Sequence, residues 1–216
     1  MSKIHSRTDL TNNNLHNFVN NVESFHSTVF QKHKKIVKPT NLIYSNRKTS
    51  RDFNENKEIK EEDFEYILNN LYNSYPSAGG FYDVYSYLFI NNVESYPSGI
   101  YHYNFSDEKP KCIYAGDIKA FVETANIQHE IINKSSFFIL FCADTRRYIK
   151  KYGERGYRFL MLETGHISQN VINLSSSLNI GNFSCGGYLD NRYKDVLELN
   201  DYEIITHQLA LGINII

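Results

Sequence analysis

The sequence predicts an α+β fold, because strand-like and helix-like segments mix along the chain without a strict strand–helix alternation. Residues 136–143 form a nearly continuous apolar run, which is typical of a strand buried on both faces. Residues 157–178 carry apolar side chains at helical spacing and predict one long helix. The 216 residues are enough for one large domain with its own core.

The other elements follow from periodicity and turn chemistry. Residues 1–40 are polar with weak helical periodicity, and we expect one or two helices there, ended by Pro39, that pack outside the domain or reach a partner subunit. Residues 61–73 predict an amphipathic helix with its apolar side chains on one stripe. We expect further strands at 82–90, 99–103, 111–115, 179–185 and 202–213, and shorter helices at 117–125 and 191–197.

Composition argues against several classes of protein. The net charge of −1 gives no overall field that would attract nucleic acid or an anionic membrane. No apolar run reaches the ~18 residues of a membrane span, and the first residues lack the apolar core of a signal peptide, so we expect a cytoplasmic protein. The three cysteines are widely spaced, which argues against disulfides and structural zinc; we expect no metal, and a buried thiol at Cys185.

The long predicted helix carries a polar stripe along its otherwise apolar surface. Either the stripe faces a subunit interface or solvent, or it borders a cofactor pocket at such an interface. We favour the interface. The stripe consists of Glu163, His166, Asn170, Asn173 and Ser177.

Three short segments could bind a ligand, although each is also explained by an ordinary loop. In an extended segment 47–51 (RKTSR), Arg47, Thr49 and Arg51 point the same way and can converge on one anion. The small residues of 76–80 (PSAGG) would let a flat ring approach the backbone. Gly186 and Gly187 can present unhindered amide groups. The spacings of a phosphate loop and of a dinucleotide fingerprint are absent.

Residues 151–158 (KYGERGYR) are the most informative segment. They place an amine, a phenol, a carboxylate and two guanidiniums within eight residues, directly before the long helix. Such a cluster suits a site that handles protons beside an anionic cofactor. The alternative is a solvent-exposed helix end.

Taken in order, these motifs resemble nitroreductase-fold flavoproteins, and among them the streptolysin-type azoline dehydrogenases, which mature thiazole- and oxazole-containing peptides. The resemblance covers roughly residues 44–212. The motifs that carry it are 47–53 (RKTSRDF), 76–80 (PSAGG), 99–103 (GIYHY), 151–158 (KYGERGYR), 165–170 (GHISQN) and 186–187 (GG).

This resemblance implies a four- or five-stranded, mainly antiparallel sheet wrapped by helices, in an intertwined homodimer with FMN in each of two interface pockets. Residues 44–216 would form the FMN-binding domain, and residues 1–43 a helical N-terminal extension. A cyclodehydratase and a peptide or carrier-bound substrate are the partners that the resemblance suggests.

The resemblance also implies a role for individual residues. Lys151 and Tyr152 match the pair assigned to catalysis. Gly186 and Gly187 would face flavin N5. Since residues 211–216 contain no basic residue, the FMN phosphate would rely on the basic segment. That segment contributes Arg47, Lys48, Thr49 and Arg51, and the second subunit contributes Pro76, Ser77, Ala78 and Gly79.

The expected reaction is FMN-dependent oxidation of a thiazoline- or oxazoline-type ring to the azole. Either Tyr152, with its pKa lowered by the neighbouring ammonium, or a desolvated Lys151 could serve as the base. One alternative is an NAD(P)H-dependent nitroreductase or quinone reductase. Another is a non-enzymatic dimeric partner with a degenerate flavin site. The natural substrate and the electron acceptor are open at this point.

Overall fold

Six strands pair into one sheet in the computed structural model, which describes Thr11 and residues 47–72, 75–104 and 106–215. Across the sheet their order is β3-β2-β1-β4-β6-β5, and all neighbouring pairs are antiparallel. This confirms the α+β fold, with more strands than the four or five that the resemblance implies. The strands are β1 (Val84–Ile90), β2 (Gly99–Tyr103), β3 (Lys111–Ala115), β4 (Phe137–Asp144), β5 (Ile180–Cys185) and β6 (Glu203–Ile213).

Six helices accompany the sheet in this part of the chain. Four of them match the expected helices to within two residues at each end. The other two, α3 and α4, were not expected from the sequence. The expected helices within 1–43 lie outside the described residues, apart from Thr11. The helices are α1 (Glu61–Leu71), α2 (Lys119–Ala125), α3 (His129–Lys134), α4 (Arg146–Tyr152), α5 (Arg155–Ser177) and α6 (Asp190–Val196).

The central strand β4 is buried on both faces, as its apolar run predicts. It pairs with β1 on one side and β6 on the other, with Ile139 opposite Leu88 and Leu209. Its side chains alternate between two cores. Phe137 packs in the core beneath α1 and α5, and Phe138 in the core beneath α2 and α6. Each fully buried side chain of this size contributes about 1.5–3 kcal/mol.

Helix α5 runs for 23 residues and buries Leu160, Ile167 and Val171 against the sheet. The expected polar stripe divides in the structure. Glu163 is buried, with 1% of its surface exposed, whereas His166 is exposed. The stripe is therefore not a single surface, because its first member packs inside the molecule.

A chain break separates α4 from α5. Gly153 has φ +60° and ψ −147°, a conformation that favours glycine and ends the helix. Residues 151–158 therefore span the junction between two helices: Lys151 and Tyr152 close α4, and α5 begins at Arg155, two residues before the expected start.

None of the helices in the described ranges is both long enough and apolar enough to cross a lipid bilayer.

Acidification should destabilise the protein partly through His207, which lies on β6 with its ring stacked on Phe141. Burial lowers the pKa of His207 to about 4, against roughly 6.5 in an unfolded chain. The unfolded state therefore binds more protons between these values. The contribution of His207 to the free energy of unfolding is complete above pH ~6.5 and falls as the pH drops to ~4, by up to roughly 3 kcal/mol.

Urea unfolding between about pH 7 and pH 4.5 measures this effect. His207→Phe keeps an aromatic ring against Phe141 and removes the titration, so most of this pH dependence should disappear. A smaller part should persist through His102, because burial lowers its pKa as well. If the free energy of unfolding changes with pH equally in the wild-type and variant proteins, the pH dependence does not come from His207.

Candidate functional site

The basic segment 47–51 lies along the outer edge of the sheet, beside β5. The Ser50 amide donates a hydrogen bond to the Asn182 carbonyl at 2.8 Å. The Arg51 guanidinium stands over the Phe183 ring, 5.6 Å from its centroid. These contacts hold the backbone against the strand while the polar side chains remain exposed. The exposed residues are Arg47, Lys48, Thr49 and Arg51, the four expected to bind the phosphate.

This segment offers a donor set that suits an anion. An Arg47 N–H group donates to the Thr49 hydroxyl at 3.4 Å, so both point to the same region. Two guanidiniums, one ammonium and one hydroxyl within five residues can together surround a phosphate.

Gly186 and Gly187 follow β5 and have different surroundings. A Cβ atom at Gly186 would meet no heavy atom within 4 Å, so this backbone faces open space. Gly187 is buried against the Gln128 side chain, and its carbonyl accepts a hydrogen bond from the Ile127 amide at 2.7 Å. Cys185 is buried as expected, and burial raises the pKa of its thiol to about 11. Of the two glycines, Gly186 is the one open to a ligand.

The loop before β1 and the end of α4 meet at Gly79. The φ of Gly79 is +72°, and a Cβ atom there would lie 2.7 Å from the Tyr152 hydroxyl and 2.9 Å from the Lys151 ammonium nitrogen. A side chain at this position would therefore displace both groups and adopt a strained backbone. Lys151 also stands 5.0 Å from the centroid of the Phe81 ring. Both predicted catalytic groups, the Lys151 ammonium and the Tyr152 hydroxyl, therefore lie against Gly79 of the segment 76–80.

A buried hydrogen-bonded triad supports this loop. The Tyr148 hydroxyl on α4 donates to the Glu163 carboxylate on α5, and it lies 2.9 Å from the Ser77 hydroxyl. The Tyr82 amide donates to the same Ser77 oxygen at 2.9 Å. Burial raises the pKa of Glu163, and the hydrogen bond from Tyr148 opposes the rise. The triad fixes the loop relative to the two helices.

Sequence reasoning missed Tyr148 and Phe81 and placed Glu163 in the polar stripe. The signal that could have found the triad was a carboxylate within an apolar helix, since a buried carboxylate needs partners. Tyr148 carried no such signal, and its helix was not expected. One Glu163 oxygen has no hydrogen-bond partner among the described residues.

Positive charge gathers around the end of α4. Two carboxylates in this region are already engaged. Both oxygens of Asp83 lie 3.0 Å from the Nε atom of Arg147, and both oxygens of Asp144 lie 3.0 Å from the Nε atom of Arg146. Four exposed cations have no ion pair within the described ranges, so they can stabilise negative charge nearby. They are Lys150, Lys151, Arg155 and Arg158.

The predicted site residues form two groups. The first group, 47–51 with Gly186, lies beside β5 in space. The second group, 76–80 with Lys151 and Tyr152, lies near the start of β1. Two strands separate β1 from β5, so the strands beside the two groups are three strand spacings, about 14 Å, apart across the sheet. Across 47–72, 75–104 and 106–215, no cluster of three or more metal-binding side chains is present.

Comparisons with known proteins agree with this architecture. A protein of Methanocaldococcus jannaschii, named as a candidate nitroreductase, is 27% identical over 130 residues, which is 60% of this chain and 66% of that protein. The microcin B17-processing protein McbC of Escherichia coli is 24% identical over 131 residues, covering 58% of this chain and 48% of McbC. The chain thus spans less than two thirds of either curated relative.

The fold resembles that of a solved assembly as well. In the E. coli microcin synthetase McbBCD complex with truncated pro-MccB17 bound, one chain superposes with a TM-score of 0.73 at 19% identity, covering 97% of this chain and 90% of that chain. The model of the nitroreductase family matches residues 44–213. From this match over most of its length, the chain belongs to the nitroreductase family.

Proposed function

We propose that this protein is an FMN-dependent oxidoreductase that dehydrogenates a thiazoline- or oxazoline-type ring to the azole, in a peptide or carrier-bound intermediate. The observation that carries the proposal is the meeting of the Lys151 ammonium and the Tyr152 hydroxyl at Gly79. Similarity to a microcin-processing protein supports a peptide substrate.

The residues of the β5 edge fit FMN. Arg47, Lys48 and Thr49 would hold its phosphate, and Arg51 would lie closer to the ring system. Gly186 has open space at its backbone, which lets a flat ring approach. When bound, FMN supplies a two-electron acceptor for the reaction.

The chain's own residues handle the proton. Conversion of the azoline to the azole removes one carbon-bound proton and one hydride, and bound FMN would accept the hydride. The proton acceptor is Lys151 in its neutral amine form or Tyr152 in its phenolate form, and the two functional groups reach the same point. The surrounding exposed cations stabilise negative charge that develops there. The 76–80 loop is held against α4 by the hydrogen bonds that join Ser77, Tyr148 and Glu163.

The two groups of residues belong, in this proposal, to one pocket built from two copies of the chain. One copy supplies the β5 edge, and the other supplies the 76–79 loop with Lys151 and Tyr152. The separation of about 14 Å within one chain supports this arrangement. A cyclodehydratase would deliver the heterocycle. In support, one chain of the McbBCD complex, which contains bound truncated pro-MccB17, has a similar fold.

A second candidate function is NAD(P)H-dependent reduction of nitro compounds or quinones. The relative from M. jannaschii favours it, since that protein is named as a candidate nitroreductase.

Anaerobic spectroscopy separates the two functions. The purified protein should be yellow. An azoline-containing peptide should bleach the flavin absorbance, while NADPH alone should not, because the proposed reductant is the heterocycle. Prompt bleaching by NADPH together with no response to the azoline peptide would favour the reductase. A colourless protein that takes up no added FMN would overturn both functions.

Removing either group at Gly79 should impair proton transfer. Lys151→Ala and Tyr152→Phe should keep FMN, and the variant lacking the base should lose about 10²- to 10⁴-fold in kcat for the azoline peptide. Lys57→Ala, which changes an exposed lysine elsewhere, is the control and should retain full activity. Full rates in both site variants, with FMN retained, end the catalytic assignment.

Mixed dimers test whether the pocket is shared. One parent is Arg51→Ala, and the other is whichever of Lys151→Ala and Tyr152→Phe has lost activity; each should be nearly inactive alone. Coexpressed with different tags, they should regain activity, because a mixed dimer contains one pocket free of both substitutions. Statistical pairing makes about a quarter of all pockets intact. No recovery in purified mixed dimers would place both residues in one subunit's pocket.

A further inference from the structure

A cleft of about 520 Å³ reaches the loop before β1, where Phe81 lines it. Its walls include Tyr85 and Tyr87 on β1 and His102 on β2. Phe81 lines the cleft and also contacts Lys151, whose ammonium lies 5.0 Å from the ring centroid. The volume is in the range of pockets that hold small ligands or a few residues of a peptide.

The wall of the cleft is aromatic and offers two unused polar groups. The rings of Tyr85 and Tyr87 lie 5.8 Å apart by their centroids, and those of Tyr87 and His102 lie 5.3 Å apart. The Tyr85 hydroxyl is engaged, since it donates to Glu203 at 2.5 Å. In the described ranges, neither the Tyr87 hydroxyl nor the His102 imidazole makes a hydrogen bond, although His102 Nδ1 lies 3.6 Å from Asp107.

Both unused groups are uncharged at neutral pH. Burial raises the pKa of Tyr87, so its phenol stays protonated, and burial lowers the pKa of His102, so its imidazole is neutral. A phenol and a neutral imidazole can donate to a carbonyl and accept from an amide. These are the hydrogen bonds that a peptide backbone needs.

The cleft carries one unbalanced negative charge among the described residues. Asp83 and Asp144 line it but are paired with Arg147 and Arg146, whereas Glu203 has no ion pair within the described ranges. Burial alone would raise the pKa of Glu203, but hydrogen bonds from Tyr85 and Asn200 lower it overall, so this carboxylate is ionised at neutral pH. An anionic ligand such as a pyrophosphate would be repelled, whereas a neutral or cationic ligand would not.

We propose that this cleft binds the peptide segment next to the heterocycle, and that it selects uncharged or cationic residues there. Tyr87 and His102 pair with the amide groups of that segment, and the aromatic wall packs against its side chains. The inference rests on the proposed function for the identity of the peptide, and it defines where the substrate lies relative to Lys151.

The test compares two fluorescein-labelled heptapeptides with one central thiazole, one flanked by Gly, Gln and Lys and the other by Gly, Glu and Asp. Anisotropy titration of the FMN-loaded protein should show the acidic peptide binding at least about 10-fold more weakly. Tyr87→Phe and His102→Phe should each weaken the basic peptide about 5-fold, through loss of one hydrogen bond. Tyr66→Phe removes an exposed hydroxyl on α1 and should change nothing.

The outcomes separate this inference from the proposed function. If the azoline peptide is oxidised but its KM is the same in Tyr87→Phe and His102→Phe, the cleft proposal is wrong and the function stands. If no azoline is oxidised, the binding titration still decides the cleft. Binding unaffected by either substitution, or equal affinity for both peptides, overturns it. The cleft proposal is also wrong if Tyr87→Phe or His102→Phe sediments as a monomer, because that would show that a second copy of the chain covers the cleft.

Discussion

The whole arrangement depends on the burial of β4 on both faces. Because residues 137–143 meet no water, β1 and β6 must flank the strand with apolar side chains, and helices must cover both sides of the sheet. The chain leaves β4 through Thr145, whose hydroxyl and amide both bond to the Tyr202 carbonyl, at 2.7 and 3.0 Å. Helix α4 starts directly afterwards. The Lys151–Tyr152 pair is therefore one short helix away from a fully buried part of the core.

A buried polar triad extends that rigidity to the loop. Placing a carboxylate in a core is unfavourable unless it is hydrogen-bonded. Glu163 meets this condition by joining Tyr148 and, through it, Ser77, so two helices and the 76–80 loop form one unit. Gly79 then approaches the two functional groups more closely than any other residue type could. A polar group in the core thus defines the position of a loop at the surface.

Positive and negative charges lie on separate surfaces, which matches the proposed binding of cofactor and substrate at different places. The β5 edge and the end of α4 carry exposed cations, which suits an anionic cofactor and negative charge in the reaction. The cleft beyond Phe81 carries carboxylates and neutral aromatic groups, which suits a peptide. Because Arg146 and Arg147 are paired with Asp144 and Asp83, these four groups add no free charge of either sign to the cleft, and Glu203 supplies its negative charge. Cofactor and substrate would thus be sorted by electrostatics as well as by shape.

The sequence by itself determined the α+β class, six strands and four of the six helices, because periodicity is a local property of a chain. Short motifs also selected 47–51, 76–80 and 151–152 as candidate site residues, and their role stays a prediction. The sequence did not determine the short helices α3 and α4, which contact the neighbouring helices α2 and α5 respectively. Only the tertiary structure decided that Glu163 lies inside, that Gly186 and not Gly187 is open, and that Lys151 and Tyr152 meet Gly79. These are contacts between segments distant in the chain, and they depend on how the helices pack on β4 and its neighbours.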